Sequence, residues 1–92
     1  MSTKSPENTG KLALMTKAKA FVLINADTGL EKLVHNELKS LQGVKEVYEL
    51  YGEYDMMAVV EEETEKDVAE VISWSLRRLK GIRSTNTMVV VK

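Results

Sequence analysis

The chain alternates short apolar runs with amphipathic stretches, and the period of each fixes the element it can form. Ala20-Phe-Val-Leu-Ile24 is a continuous apolar run of strand length, the mark of a strand covered on both faces. Thr28-Gly-Leu-Glu31 reads as a capping box, in which the Thr28 hydroxyl and the Glu31 carboxylate satisfy reciprocal amide donors at a helix start. Behind it Leu30, Val34, Leu38 and Leu41 recur at helical spacing with Leu33 on the flank, and Gly43 supplies the left-handed residue that ends the helix. Val44 to Tyr51 is rich in β-branched and aromatic residues, Gly52-Glu53 gives a tight turn, and Tyr54 to Glu61 is the returning strand of a hairpin.

The second half follows the same plan. Thr64-Glu-Lys-Asp67 is a box-like start, Val68, Val71, Ile72, Leu76 and Leu79 form a buried stripe, and Gly81 stops the helix. Ile82 to Val91 alternates weakly and then becomes apolar from Met88, a fourth strand. Leu41-Gln-Gly-Val-Lys45 and Leu79-Lys-Gly-Ile-Arg83 hold equivalent places in the two halves, which internal duplication explains most simply. The order βαββαβ with right-handed crossovers predicts an α+β, ferredoxin-like sandwich: a four-stranded antiparallel sheet with both helices on one face.

That layout leaves an apolar face uncovered. Neighbouring residues of a strand point to opposite faces, so the runs Phe21 to Ile24, Met56 to Val60 and Met88 to Val91 load both sides of the sheet. At roughly 25 cal/mol per Å² of apolar surface, an exposed patch of several hundred Å² forgoes many kcal/mol, and such patches mark interfaces. A homodimer packed sheet to sheet, of the dimeric α/β barrel type, is the expected solution, with Phe21, Leu23, Met88 and Val90 in the interface. Trp74 falls off the buried stripe of the second helix and is an anchor candidate between subunits, with plain surface packing as the alternative.

Composition narrows the function classes. With 92 residues the chain holds one domain, assigned to residues 17–92. Residues 1–16 carry the only proline, Pro6, among Ser, Thr, Asn and Gly, the makeup of a flexible terminal segment. No cysteine and a single histidine, His35, leave no thiol chemistry and no usual zinc ligand set, so no metal or other cofactor is expected. A formal net charge of -1 gives no general basic field for nucleic acid, and the apolar runs are too short for a membrane span, which reads as a cytoplasmic protein. Arg77, Arg78, Lys80 and Arg83 form a basic cluster that complements the negative end of the second helix. His35 and Glu37 read as solvated residues of the first helix.

The segment with most chemistry is Tyr51-Gly-Glu-Tyr-Asp55, where Gly52 lets backbone amides approach a ligand and Asp55 places a carboxylate beside them; an ordinary hairpin turn is the bland alternative. Taken in order, Leu41-Gln-Gly-Val44, Gly52-Glu-Tyr-Asp55 and Gly81-Ile-Arg-Ser-Thr-Asn-Thr87 make the run from Ala20 to Lys92 resemble the C-terminal effector (RAM) domain of Lrp/AsnC transcription regulators. That resemblance implies dimers formed through the sheet and associated into a ring, often an octamer. It also implies small effectors, usually amino acids, bound between dimers near the Gly-x-Tyr-Asp hairpin. On it, Gly52, Glu53, Tyr54, Asp55, Thr85 and Thr87 become ligand-binding candidates, with Asp55 pairing an ammonium group or orienting the loop. Full-length members carry an N-terminal DNA-binding domain for which the residues ahead of Ala20 have no room. The chain therefore reads as a stand-alone, non-enzymatic module without direct DNA contact, a possible partner of a full-length regulator. Two other readings share the fold: a dimeric ferredoxin-like monooxygenase and a purely structural oligomerisation domain.

Overall fold

The computed structural model describes residues 17–91. The reading of residues 1–16 as a flexible segment lies outside the described residues. Strand β1 (Ala18–Ala26) leads to helix α1 (Glu31–Lys39), the hairpin β2 (Val44–Glu49) and β3 (Met56–Glu62), helix α2 (Glu65–Glu70) with a π-helical continuation (Val71–Leu76), and β4 (Ile82–Val89). The four strands form one antiparallel sheet in the order β2-β3-β1-β4. This is the expected ferredoxin-like βαββαβ arrangement.

Register sorts the side chains between the two faces. Ala20, Val22, Ile24 and Ala26 of β1 are buried with Val34 and Leu38 of α1 and with Val68, Ile72 and Leu76 of the second helix, forming the core. The intervening Phe21 and Leu23 point the other way and lie opposite Val59 and Met57 of β3 and Met88 and Asn86 of β4. The apolar content of β1 on both faces thus has a direct cause: one set is covered by helices and the other lies on the open face.

The duplicated phrase becomes a duplicated turn. Val44 N donates to Leu41 O at 3.2 Å and Ile82 N donates to Leu79 O at 3.4 Å, with Gly43 and Gly81 at φ +95° and +96° inside the two turns. Both glycines therefore serve the entry to a strand. Neither caps a helix as the sequence suggests, because α1 already ends at Lys39 with Ser40 as its C-cap, and the π segment ends at Leu76. Each glycine also lets the other half approach: a Cβ at Gly43 would lie 2.9 Å from Val71 Cγ2, and one at Gly81 the same distance from Val34 Cγ2.

The helix starts divide. Thr64 is the N-cap of α2 and accepts from Asp67 N at 3.1 Å, the hydroxyl half of the expected box. Thr28 is not a cap. Gly29 at φ +90° and the Leu30 N to Asp27 O bond (2.9 Å) turn the chain first, so α1 starts after Leu30, which caps nothing with its side chain; Glu31 instead accepts from Gly29 N at 3.0 Å. In the second helix Arg77 N donates to Ile72 O at 2.9 Å, a π-type bond. On an α-helix, residues four apart drift by about 40°, and the wider π turn counters that drift, keeping Val68, Ile72 and Leu76 over the sheet.

Candidate functional site

The β2–β3 connection is longer than the two-residue turn expected. Glu49 pairs with Met56, and Leu50 N donates to Asp55 O at 2.9 Å, so Leu50–Asp55 forms a loop at the end of the sheet. Within it Tyr51 is fully exposed and Gly52 adopts φ +132° with open space where a Cβ would stand. The left-handed backbone at Gly52 is a conformation that side-chain-bearing residues rarely hold.

Asp55 fastens this loop to β1. The β1–β3 ladder closes at Ile24–Met56, and where β3 leaves it the Asp55 Oδ2 atom accepts from Ala26 N at 2.9 Å. Asp55 N donates to Ile24 O at 2.9 Å and to Asn25 Oδ1 at 3.1 Å. Half-buried between these partners, Asp55 orients the loop through one carboxylate oxygen. Tyr54 is tied to the edge strand, its hydroxyl accepting from Asn86 Nδ2 at 3.3 Å.

Beside the loop lies a groove of about 350 Å³ lined by Glu31, Lys32 and His35 of α1 and by Glu49, Leu50, Asp55 and Met56 of the hairpin. His35 is half-buried here, at the edge of the groove, more enclosed than a solvated helix residue; Glu37 is exposed as expected. The groove holds an ammonium from Lys32 among three carboxylates, Glu31, Glu49 and Asp55, which suits a ligand carrying both signs of charge.

The structure brings together only some of the residues singled out in sequence. Gly52, Glu53, Tyr54 and Asp55 share the loop. Thr85 and Thr87 lie opposite Ile24 and Val22, whose side chains face the helices, so both threonines belong to that side of β4. Thr87 lines a separate groove beneath α2 with Val68, Ala69, Ile72 and Arg77. The residue of β4 that meets the loop is Asn86. Asn25, Asn86 and Lys32 carried a sequence signal only in part: strand parity marks Asn86 as opposite in facing to Thr85 and Thr87, and helical spacing sets Lys32 and His35 near one another.

The open sheet face carries the four sheet-interface candidates. Phe21 and Leu23 are half-buried, and Met88 is 46% and Val90 36% exposed. Tyr48 of β2, opposite Met57, is also exposed, and the hydrogen bond from its phenol to the Glu46 carboxylate pushes its pKa above the usual tyrosine value. The Lys19–Glu61 pair at 3.9 Å closes one end of this face. Trp74 is 64% exposed and lies on the helix layer, away from the open face.

The described residues thus form an open-faced sandwich with a mixed-charge groove at one end. The family described as the Lrp/AsnC ligand binding domain matches residues 19–92, and the chain belongs to it. An uncharacterised HTH-type transcriptional regulator of Pyrococcus furiosus is 34% identical over 83 residues, 89% of this chain and 55% of that protein. Homocitrate synthase of Saccharolobus islandicus is 39% identical over 59 residues, 64% of this chain but 13% of the enzyme. The chain thus spans about half or less of these curated relatives. A hypothetical protein from Pyrococcus horikoshii superposes with TM-score 0.76 at 36% identity, covering 82% of this chain and 90% of that one. A Neisseria meningitidis transcriptional regulator solved with L-Met shares the fold at TM-score 0.72 and 14% identity, over 90% of this chain and 54% of that one. Among the described residues no helix is long and apolar enough to cross a membrane.

Proposed function

We propose that the chain is a regulatory module that takes a free amino acid in the groove beside the Leu50–Asp55 loop and acts as a homo-oligomer, without catalysis of its own. The groove lining carries this reading. A free amino acid is a zwitterion: its carboxylate suits Lys32, and its ammonium suits Glu49 and the Asp55 oxygen left over from the Ala26 bond, while Gly52, Glu53 and Tyr54 stand in the loop outside the groove lining. The L-Met complex of the Neisseria regulator supports the ligand class. The groove is open to solvent, and a second copy standing over the loop, with Glu53 and Tyr54 at the contact, closes it. Thr85 and Thr87 take no part in this site.

Sheet-to-sheet pairing through Phe21, Leu23, Met88 and Val90 makes the dimer, and contacts between dimers at the loops make the ring. A ligand that binds only the assembled form stabilises it by mass action, and a hundredfold excess over its Kd is worth about 2.7 kcal/mol. Full-length members of the family supply the DNA-binding partner through which this change reaches transcription. Titration calorimetry of the purified chain against each of the twenty amino acids tests the reading. A saturable heat with at least one, lost in Lys32→Met at unchanged melting temperature, is expected. No heat with any of them, or undiminished binding in Lys32→Met, overturns it.

A further inference from the structure

The exposed face of the second helix is charged in opposite senses on either side of one aromatic side chain. Glu70 stands four residues before Trp74 and Arg78 four residues after it. The Arg78 guanidinium lies 4.3 Å from the Trp74 ring centroid, so ring and cation project as one unit. Next to that unit is a hollow of about 500 Å³ whose lining includes Glu62, Asp67, Glu70, Val71 and Trp74 itself. A cationic aromatic knob at the end of the second helix and an acidic hollow between that helix and the end of β3 thus lie side by side. The two ion pairs among the described residues, Lys17–Glu63 and Lys19–Glu61, use none of Asp67, Glu70 and Arg78.

We infer that this face is a contact between two copies of the chain, their second helices antiparallel about a two-fold axis beside Trp74. A two-fold contact is self-complementary, so whatever one copy offers it also receives. Each Trp74–Arg78 unit enters the hollow of the other copy, Arg78 meeting the other copy's Glu70, and the charge pair is made twice. Reversal of charge about the axis is the condition such pairing needs. A parallel pairing would set Glu70 on Glu70 and Arg78 on Arg78. The contact lies on the helix layer, so it leaves the open sheet face and the loop groove free, and it stands or falls independently of the amino-acid reading.

Trp74 is the only tryptophan in the chain, so its emission reports this contact directly. In ligand-free protein, emission should shift to the blue as concentration rises, because the indole leaves water. Glu70→Arg and Arg78→Glu each set like charges across the axis, and either variant alone should need at least about tenfold more protein for the same shift. An equal mixture of the two variants restores opposite charges at both places, and there the shift should return to the wild-type concentration range. An indole emission characteristic of water at every wild-type concentration overturns the inference. So does a mixture that behaves as the sum of its parts, as it would if Trp74 engaged a basic segment of some other protein.

Discussion

Gly81 is where two demands meet at one residue: a left-handed backbone at φ +96° and a Val34 methyl 2.9 Å from where a Cβ would be. Gly52 has the first demand and not the second, since nothing lies within 4 Å of its missing Cβ. Alanine at Gly81 should therefore cost about 2 kcal/mol or more, and alanine at Gly52 about half of that, in urea unfolding at one fixed protein concentration. Equal costs at both sites would show that the packing between the halves contributes nothing. Much at this scale is legible from sequence, including the two strand-entry glycines as special positions and Asp55 as the loop residue whose carboxylate stands out. Orienting the loop is one of the two roles the sequence offers for Asp55, but the partner it uses is not legible there. Its acceptor goes to Ala26 N only because β3 leaves the ladder at Met56, a fact of register between segments far apart in the chain. The same limit explains Thr85 and Thr87. Alternation shows that they share a face, but only their pairing with Ile24 and Val22, beside the irregularity at Asn25/Ala26, says which face it is.

At the level of elements, period and composition give every strand and helix its place in the order. Capping boxes are less reliable guides, because the motif is satisfied only if the chain enters the helix at its first residue. Thr64 does so and Thr28 does not, since the Asp27–Leu30 turn and the left-handed Gly29 intervene. Thr64→Ala should destabilise the domain by about 1 kcal/mol, while Thr28→Ala should fall within about 0.5 kcal/mol of wild type, as surface changes do. Thermal unfolding followed by circular dichroism checks the pair, and a Thr28 variant as costly as the Thr64 variant contradicts this account of the α1 start. The π segment was not legible at all. Val68, Ile72 and Leu76 look in sequence like an ordinary helical stripe, and only the Arg77 to Ile72 bond reveals the wider turn from which Trp74 projects.

Among the described residues the open sheet and the Trp74 face of the second helix stand uncovered, and the loop groove opens to solvent, where the proposed second copy would close it. The sheet follows from the sequence, because five-residue apolar runs cannot hide both faces behind two helices. A domain this small buries only about 60% of its unfolded surface, so the proposed association would add stability that its own core does not provide. Charging the middle of the open face with Phe21→Glu should reduce the assembled mass while leaving the helix-side core intact. The most direct test of the account is the mass of the purified chain by light scattering, with and without a pool of the twenty amino acids. It predicts an assembly of more than one copy whose mass or melting temperature changes with the pool. A single-copy mass, or an assembly indifferent to every amino acid, would contradict it.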